Sequence, residues 1–143
     1  MATVELTFSA LPAHVRTARL VATAIARRTG VAEAILDEVR LAVGEACSRA
    51  VEAHRLHCPS EPVRIELRDD AGRFEVTVSD AAPSEEPKPY VLETDGAFEP
   101  DEMADLGVAV IAGLADDVEV VPGPKGMRIR MSWPASANGL AAI

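Results

Sequence analysis

Residues 31–57 constrain this chain more than any other stretch. Projected at about 100° per residue, Leu36, Val39, Val43, Ala46, Cys47 and Ala50 fall within one arc of about 100°. Glu38, Glu45, Arg49 and Glu52 gather opposite them within about 60°. The spacing predicts one amphipathic helix from about Val31 to His57, with Pro59 and Pro62 bracketing its exit. Its apolar arc needs a core to lie on. Its charged arc either faces water or lines a site.

The rest of the chain supplies that core. Residues 2–8 alternate apolar and polar like a half-buried strand. Leu11-Pro12-Ala13 opens a second helix that runs to about Thr29, with Pro12 suited to the first turn and Gly30 as the stop. Val15, Ala18, Val21, Ala22 and Ile25 form its buried face. Val63–Leu67 and Phe74–Val78 alternate around Asp69-Asp70-Ala71-Gly72, which predicts a hairpin. Residues 81–105 change character, with four prolines and eight acidic residues against the single Lys88. A long aperiodic segment of this kind is a functional or a disordered loop. Leu106–Leu114 then reads as a short apolar helix, and Asp117–Val121 and Met127–Trp133 as closing strands around Pro122-Gly123-Pro124.

No internal repeat is visible. The element order implies an α/β two-layer sandwich, with helices on one face of a mixed, mostly antiparallel β-sheet. One domain over residues 1–134 is expected, with a frayed tail at 135–143. Aromatic residues make up only 3% of the chain, so its core must come from Ala, Val, Leu and Ile.

Charge and cysteine content exclude several function classes. With 23 acidic against 14 basic residues, the chain carries −9, and its arginines are scattered rather than clustered. A phosphate backbone would repel it, so direct nucleic-acid binding is not expected. No apolar run approaches the ~18–20 residues that span a bilayer, and the start lacks a basic leader followed by an apolar stretch. No membrane association and a cytoplasmic location are therefore expected. Cys47 and Cys58 on one helix would stand ~16 Å apart along it, too far for a disulfide. His54, His57 and Cys58 form a weak ligand group, read as surface imidazoles at a fraying helix end, and no metal site is expected.

Four segments, in order, resemble the nucleotide-binding fold shared by histidine kinases, gyrase-type ATPases and the bacterial anti-sigma serine kinases. The last group is the nearest in pattern. The segments are Pro12–Arg19; Ala42-Val43-Gly44-Glu45-Ala46-Cys47-Ser48-Arg49-Ala50-Val51; Val76-Thr77-Val78-Ser79-Asp80; and Asp105-Leu106-Gly107 through Val120. The resemblance spans about Leu11 to Trp133. It implies a histidine-kinase-like ATPase fold with ATP as cofactor. Glu45 then stands at the general base for a protein serine hydroxyl, and Asp80 at the group that reads the adenine amino group. Gly107 belongs to the phosphate-holding turn, and Arg19 matches the arginine of the group's first helix.

The sequence departs from that pattern where the metal binds. The family has an Asn that coordinates Mg²⁺ four residues after the Glu, and Arg49 stands there. A guanidinium offers donors only and repels a cation, so Mg²⁺ is not expected. Arg49 could meet a nucleotide phosphate, contact a protein partner, or pair with Glu45. Ala82, Ser84 and Asp105 stand where glycines are usual. Each of the other positions has a plain structural reading: a solvated helix carboxylate for Glu45, a strand-end turn acid for Asp80, close helix packing for Gly107 and a solvated helix arginine for Arg19. The expectation is an anti-sigma regulator of the partner-switching type with weakened or lost ATP binding. Its implied partners are an RNA polymerase sigma factor, an anti-anti-sigma (STAS-type) protein and a second copy in a homodimer. The alternative is an active ATP-dependent serine kinase acting on the anti-anti-sigma partner.

Overall fold

The computed structural model describes residues 2–82 and 100–135. Their order is β1 (Ala2–Phe8), α1 (Pro12–Thr29), a 3₁₀ turn (Glu33–Ile35), α2 (Leu36–His57), β2 (Val63–Asp70), β3 (Arg73–Ser79), α3 (Pro100–Leu114), β4 (Asp117–Val121) and β5 (Arg128–Pro134). The strands form one sheet in the order β1-β2-β3-β5-β4. Every pairing is antiparallel, so the expected mixed sheet is antiparallel throughout. The reason lies in β5, which turns back after β4 and inserts between β3 and β4. Those two strands run in the same direction without touching.

α2 lies at the centre of the helical layer. It packs on α1 along one flank, on α3 along the other, and on β2, β3 and β5 beneath. Val39, Val43, Ala46, Cys47 and Ala50 are buried, as the arc requires. They meet Ile65, Leu67, Val76, Val78, Ile129 and Met131 from the inner face of the sheet. Ala18, Ala22 and Ala26 line the buried side of α1, where small side chains let the two helices approach closely. Trp133 joins sheet to helix: its ring stacks on Phe74 at 6.2 Å, and its indole N–H donates to the Leu114 carbonyl at 3.1 Å. That bond satisfies one of the orphan carbonyls at the end of α3.

Two helix boundaries differ from the sequence reading. α2 begins at Leu36 rather than Val31, because α1 closes in a Schellman motif. Val31 N–H bonds the Ala26 carbonyl and Gly30 N–H the Arg27 carbonyl, at 3.0 and 3.3 Å. Val31 then turns inward and is buried, and the chain makes a 3₁₀ turn before the helix proper. α3 begins at Pro100 rather than Leu106, a proline being compatible with a first helical turn. The remainder of the expected acidic loop, residues 83–99, and the tail at 136–143 lie outside the described residues.

The outer face of the sheet is polar. Arg130 reaches Glu75 at 2.7 Å, Glu119 at 3.2 Å and Asp117 at 3.6 Å, and Arg64 reaches Glu5 at 2.8 Å. Thus the scattered arginines of the sequence become neighbours of carboxylates. Exposed pairs of this kind contribute little to stability, but they keep this face wet.

Two predictions follow from this packing. Ala71 sits at φ 50° before Gly72 at φ 85°, a two-residue turn that forces an L side chain into the left-handed region. Ala71→Gly should therefore stabilise the fold by about 1 kcal/mol, read as a raised urea midpoint. Cys47 is buried without a charge partner, and burial pushes its thiol from 9.0 up to about 12. It should resist a thiol-specific reagent at pH 8 until the protein unfolds, while the half-buried Cys58 reacts in the native state. Because the folded value is the higher one, this contribution is complete below about 9 and is lost as pH rises through about 12.

Candidate functional site

Of the charged arc of α2, Glu45 and Arg49 lie against α3, while Glu38 and Glu52 stay exposed. A methyl group at Gly107 would lie 2.6 Å from Glu45 Oε1 and 3.1 Å from Arg49 Cδ. The α3 backbone therefore rests directly on these two side chains, and any side chain at 107 would have to displace the end of Glu45. Arg49 continues from under α3 toward the start of β5, where its Nη1 donates to Met127 Sδ at 3.3 Å.

Met127 leads to Asp80. Its N–H donates to Asp80 Oδ1 at 3.0 Å, and Asp80 N–H donates to the Met127 carbonyl at 3.0 Å. Ala82 N–H donates to the same Oδ1 at 3.1 Å. The carboxylate is thus oriented by two backbone amides. Gly126 makes the approach possible, since a Cβ there would fall 1.9 Å from the Asp80 carbonyl oxygen.

His54 holds the same segment from the other side. It is fully buried, and its Nε2 accepts from Ala81 N–H at 2.8 Å. This fixes the tautomer, so Nδ1–H donates to the Glu61 carbonyl at 2.7 Å. The expectation of a surface imidazole fails for His54, although His57 is exposed. The sequence held the necessary signal. His54 follows Val43, Cys47 and Ala50 at helical spacing and falls on the apolar arc. With both nitrogens engaged it also has no lone pair left for a metal, and among the described residues no group of His, Cys, Asp and Glu could hold one.

The structure therefore brings Glu45, Arg49 and Gly107 together and joins Asp80 to them through Met127. It places Arg19 elsewhere. Arg19 lies across Gly44, where an added Cβ would be 2.5 Å from its Cδ, and its Nε is shielded from solvent with no hydrogen-bond partner among the described residues. With Pro12, Val15, Arg16, Ser48, Val51 and Glu52 it lines a groove of about 370 Å³ between α1 and α2. Sequence reasoning missed Met127, Gly126 and His54. The first two looked like strand and turn residues, and only the tertiary arrangement sets them against Asp80.

The model of the histidine kinase-like ATPase domain matches residues 8–133. The chain belongs to this family. No curated protein matches it. Among solved structures, it resembles the RsbU and RsbW domains of Rv1364c from Mycobacterium tuberculosis, with a TM-score of 0.63 and 16% identity. That likeness covers 94% of this chain and 33% of the other, so the chain spans about a third of its neighbour's length. At this identity the likeness is one of fold. No helix among the described residues is long and apolar enough to cross a membrane.

The metal that accompanies ATP in this family does not fit the residues present. Arg49 stands where the family pattern has a metal-ligating Asn, has no acceptor atom, and carries its permanent positive charge past Gly107 to Met127. No divalent cation is favoured there.

His54→Ala tests how firmly the Asp80 segment is tied down. It leaves the Ala81 amide and Glu61 carbonyl unpaired and opens a void, which should cost about 2–4 kcal/mol. His57→Ala, at an exposed position, should cost less than about 0.5 kcal/mol. Urea unfolding with an unchanged m-value reads both.

Proposed function

We propose that this chain is an anti-sigma regulator of the partner-switching type. It binds a sigma factor of RNA polymerase and releases it when an anti-anti-sigma protein of the STAS type takes its place. The reading is supported by the four motif segments in order, by the family match over residues 8–133, and by the fold likeness to a structure that includes an RsbW domain. The observation that carries it is Arg49. The fold is kept whole while the metal-ligand position has become a guanidinium, which points to a protein selected for its surfaces over Mg²⁺-dependent phosphoryl transfer.

Sequestration needs a surface, and the groove between α1 and α2 suits one. Arg16 and Arg19 line it with Pro12, Val15, Val51 and a single carboxylate, Glu52, and Leu11 and Leu20 on α1 and its approach are exposed. Cations beside apolar ground on a chain of net charge −9 fit an acidic, partly apolar partner segment. The chain acts as a homodimer in the cytoplasm, the setting in which sigma factors and their antagonists meet.

The test is affinity capture of cell proteins on the purified chain, read by mass spectrometry for sigma subunits. A sigma subunit should be recovered, and Arg16→Glu should reduce its recovery at least tenfold. Absence of every sigma subunit across a range of salt concentrations would overturn the reading.

A second reading rests on Glu45, which retains the carboxylate that the family uses as a base and lies against α3 at Gly107. In that case the chain is a serine kinase for the anti-anti-sigma protein. Transfer of labelled phosphate from ATP to a serine of that partner, abolished in Glu45→Ala, would establish it. Equal transfer by wild type and variant would remove Glu45 from the chemistry.

A further inference from the structure

The outer face of the sheet holds one row without a carboxylate. The strand registers line up Thr7, Arg64, Ser79, Arg128 and Val121 across β1, β2, β3, β5 and β4. The next row on this face is Glu5, Glu66, Thr77, Arg130 and Glu119, and the one beyond it includes Glu75 and Asp117. Every strand carboxylate on the face therefore lies to one side of Arg64 and Arg128. We propose that this row binds a phosphorylated serine or threonine of a partner protein, the two guanidiniums and the Ser79 hydroxyl meeting the phosphoryl oxygens. The proposal goes beyond the anti-sigma reading and does not depend on it, since the α1–α2 groove lies in the helical layer on the other side of the sheet.

Arg128 carries the argument. It is exposed, and among the described residues its guanidinium has no ion pair or hydrogen bond. Arg130, one row away, is by contrast shared by Glu75, Glu119 and Asp117. Arg64 stands two strands from Arg128, roughly 10 Å across β3, with Ser79 between them. Its bond to Glu5 is an exposed ion pair, and such a pair is readily given up for a more highly charged anion. All three residues line one open hollow of about 310 Å³. A phosphoryl group brings close to two negative charges and three acceptor oxygens, which matches two guanidiniums and a hydroxyl. A carboxylate brings one charge and two oxygens.

The surroundings favour a protein as its carrier. On an open face a lone phosphate stays in water, whereas a peptide adds contacts along the sheet. Val121 ends the row and is exposed. Ser79, Val121 and Arg128 also border a second hollow of about 330 Å³, where Pro122, Pro124 and Lys125 offer apolar ground and a further cation. Asp80 on its rim already has its Oδ1 engaged by two backbone amides. A nucleic acid fits less well. Its successive phosphates would run onto Glu66 and Glu119, which line the first hollow, on a molecule of net charge −9.

The experiment is an NMR titration of the isotope-labelled full chain with a short valine-flanked phosphoserine peptide. Amide shifts should centre on Arg64, Ser79 and Arg128, and the unphosphorylated peptide should produce none. Arg128→Gln should weaken binding at least tenfold without lowering the urea midpoint, because the side chain holds no partner within the described fold. Glu5→Gln frees Arg64 and should tighten binding at least twofold. Glu33→Gln, in the 3₁₀ turn, removes the same charge and should leave binding unchanged. Inorganic phosphate should bind the row at least tenfold more weakly than the peptide, and equal binding would overturn the assignment to a protein. A single-stranded oligonucleotide that displaces the peptide at equal concentration would overturn it likewise. Shifts centred elsewhere, no shifts at all, or binding untouched by Arg128→Gln would each overturn the proposal. Sigma capture reads the other side of the molecule, so the two readings fail separately.

Discussion

The structure depends on one helix lying between two different environments. α2 must bury Val39, Val43, Ala46, Cys47 and Ala50, and the inner face of the sheet is the surface wide enough to accept them. Once that arc is down, the helix cannot rotate. Glu45 and Arg49 are then turned toward α3, and Arg19 on α1 is laid across Gly44. Burial of the apolar arc provides the energy, and the position of the polar arc follows from it.

Close approach completes the site. Gly107 lets α3 settle on Glu45 and Arg49, and Gly126 lets the start of β5 meet Asp80. At Gly126 the neighbour is backbone and no side chain is tolerated, whereas at Gly107 a side chain would have to push Glu45 aside. Around Asp80 the backbone is tied on both sides, to β5 through Met127 and to α2 through His54. A buried neutral imidazole with both nitrogens satisfied costs little and joins three segments that are distant in sequence. The carboxylate is consequently fixed in orientation by the fold's own backbone amides.

Arg49 changes what such a site can do. In a metal-assisted phosphoryl transfer the cation bridges phosphate oxygens and neutralises developing charge. A guanidinium can bind the same oxygens, but it is tethered and cannot coordinate a nucleophile or leave with the product. The fold is thus kept while the ligand set for a divalent cation is not.

Much of this was legible in the residues. The helix arc, the strand alternation, Pro12 and Gly30 at the ends of α1 and the Ala71-Gly72 turn are local signals, set by the 3.6- and 2-residue periods and by backbone sterics. So was the grouping of Glu45 and Arg49, since four residues along a helix share a face. The antiparallel order with β5 between β3 and β4 was not legible, because insertion of a strand is decided by which edges remain free after the crossover. Nor were the contacts of Arg49 with Met127, of Met127 with Asp80, and of His54 with Ala81, which join residues 27 to 78 positions apart. Periodicity says which face of an element is buried. Only the packed structure decides what that face meets, since the meeting is fixed by the burial of every other element at once.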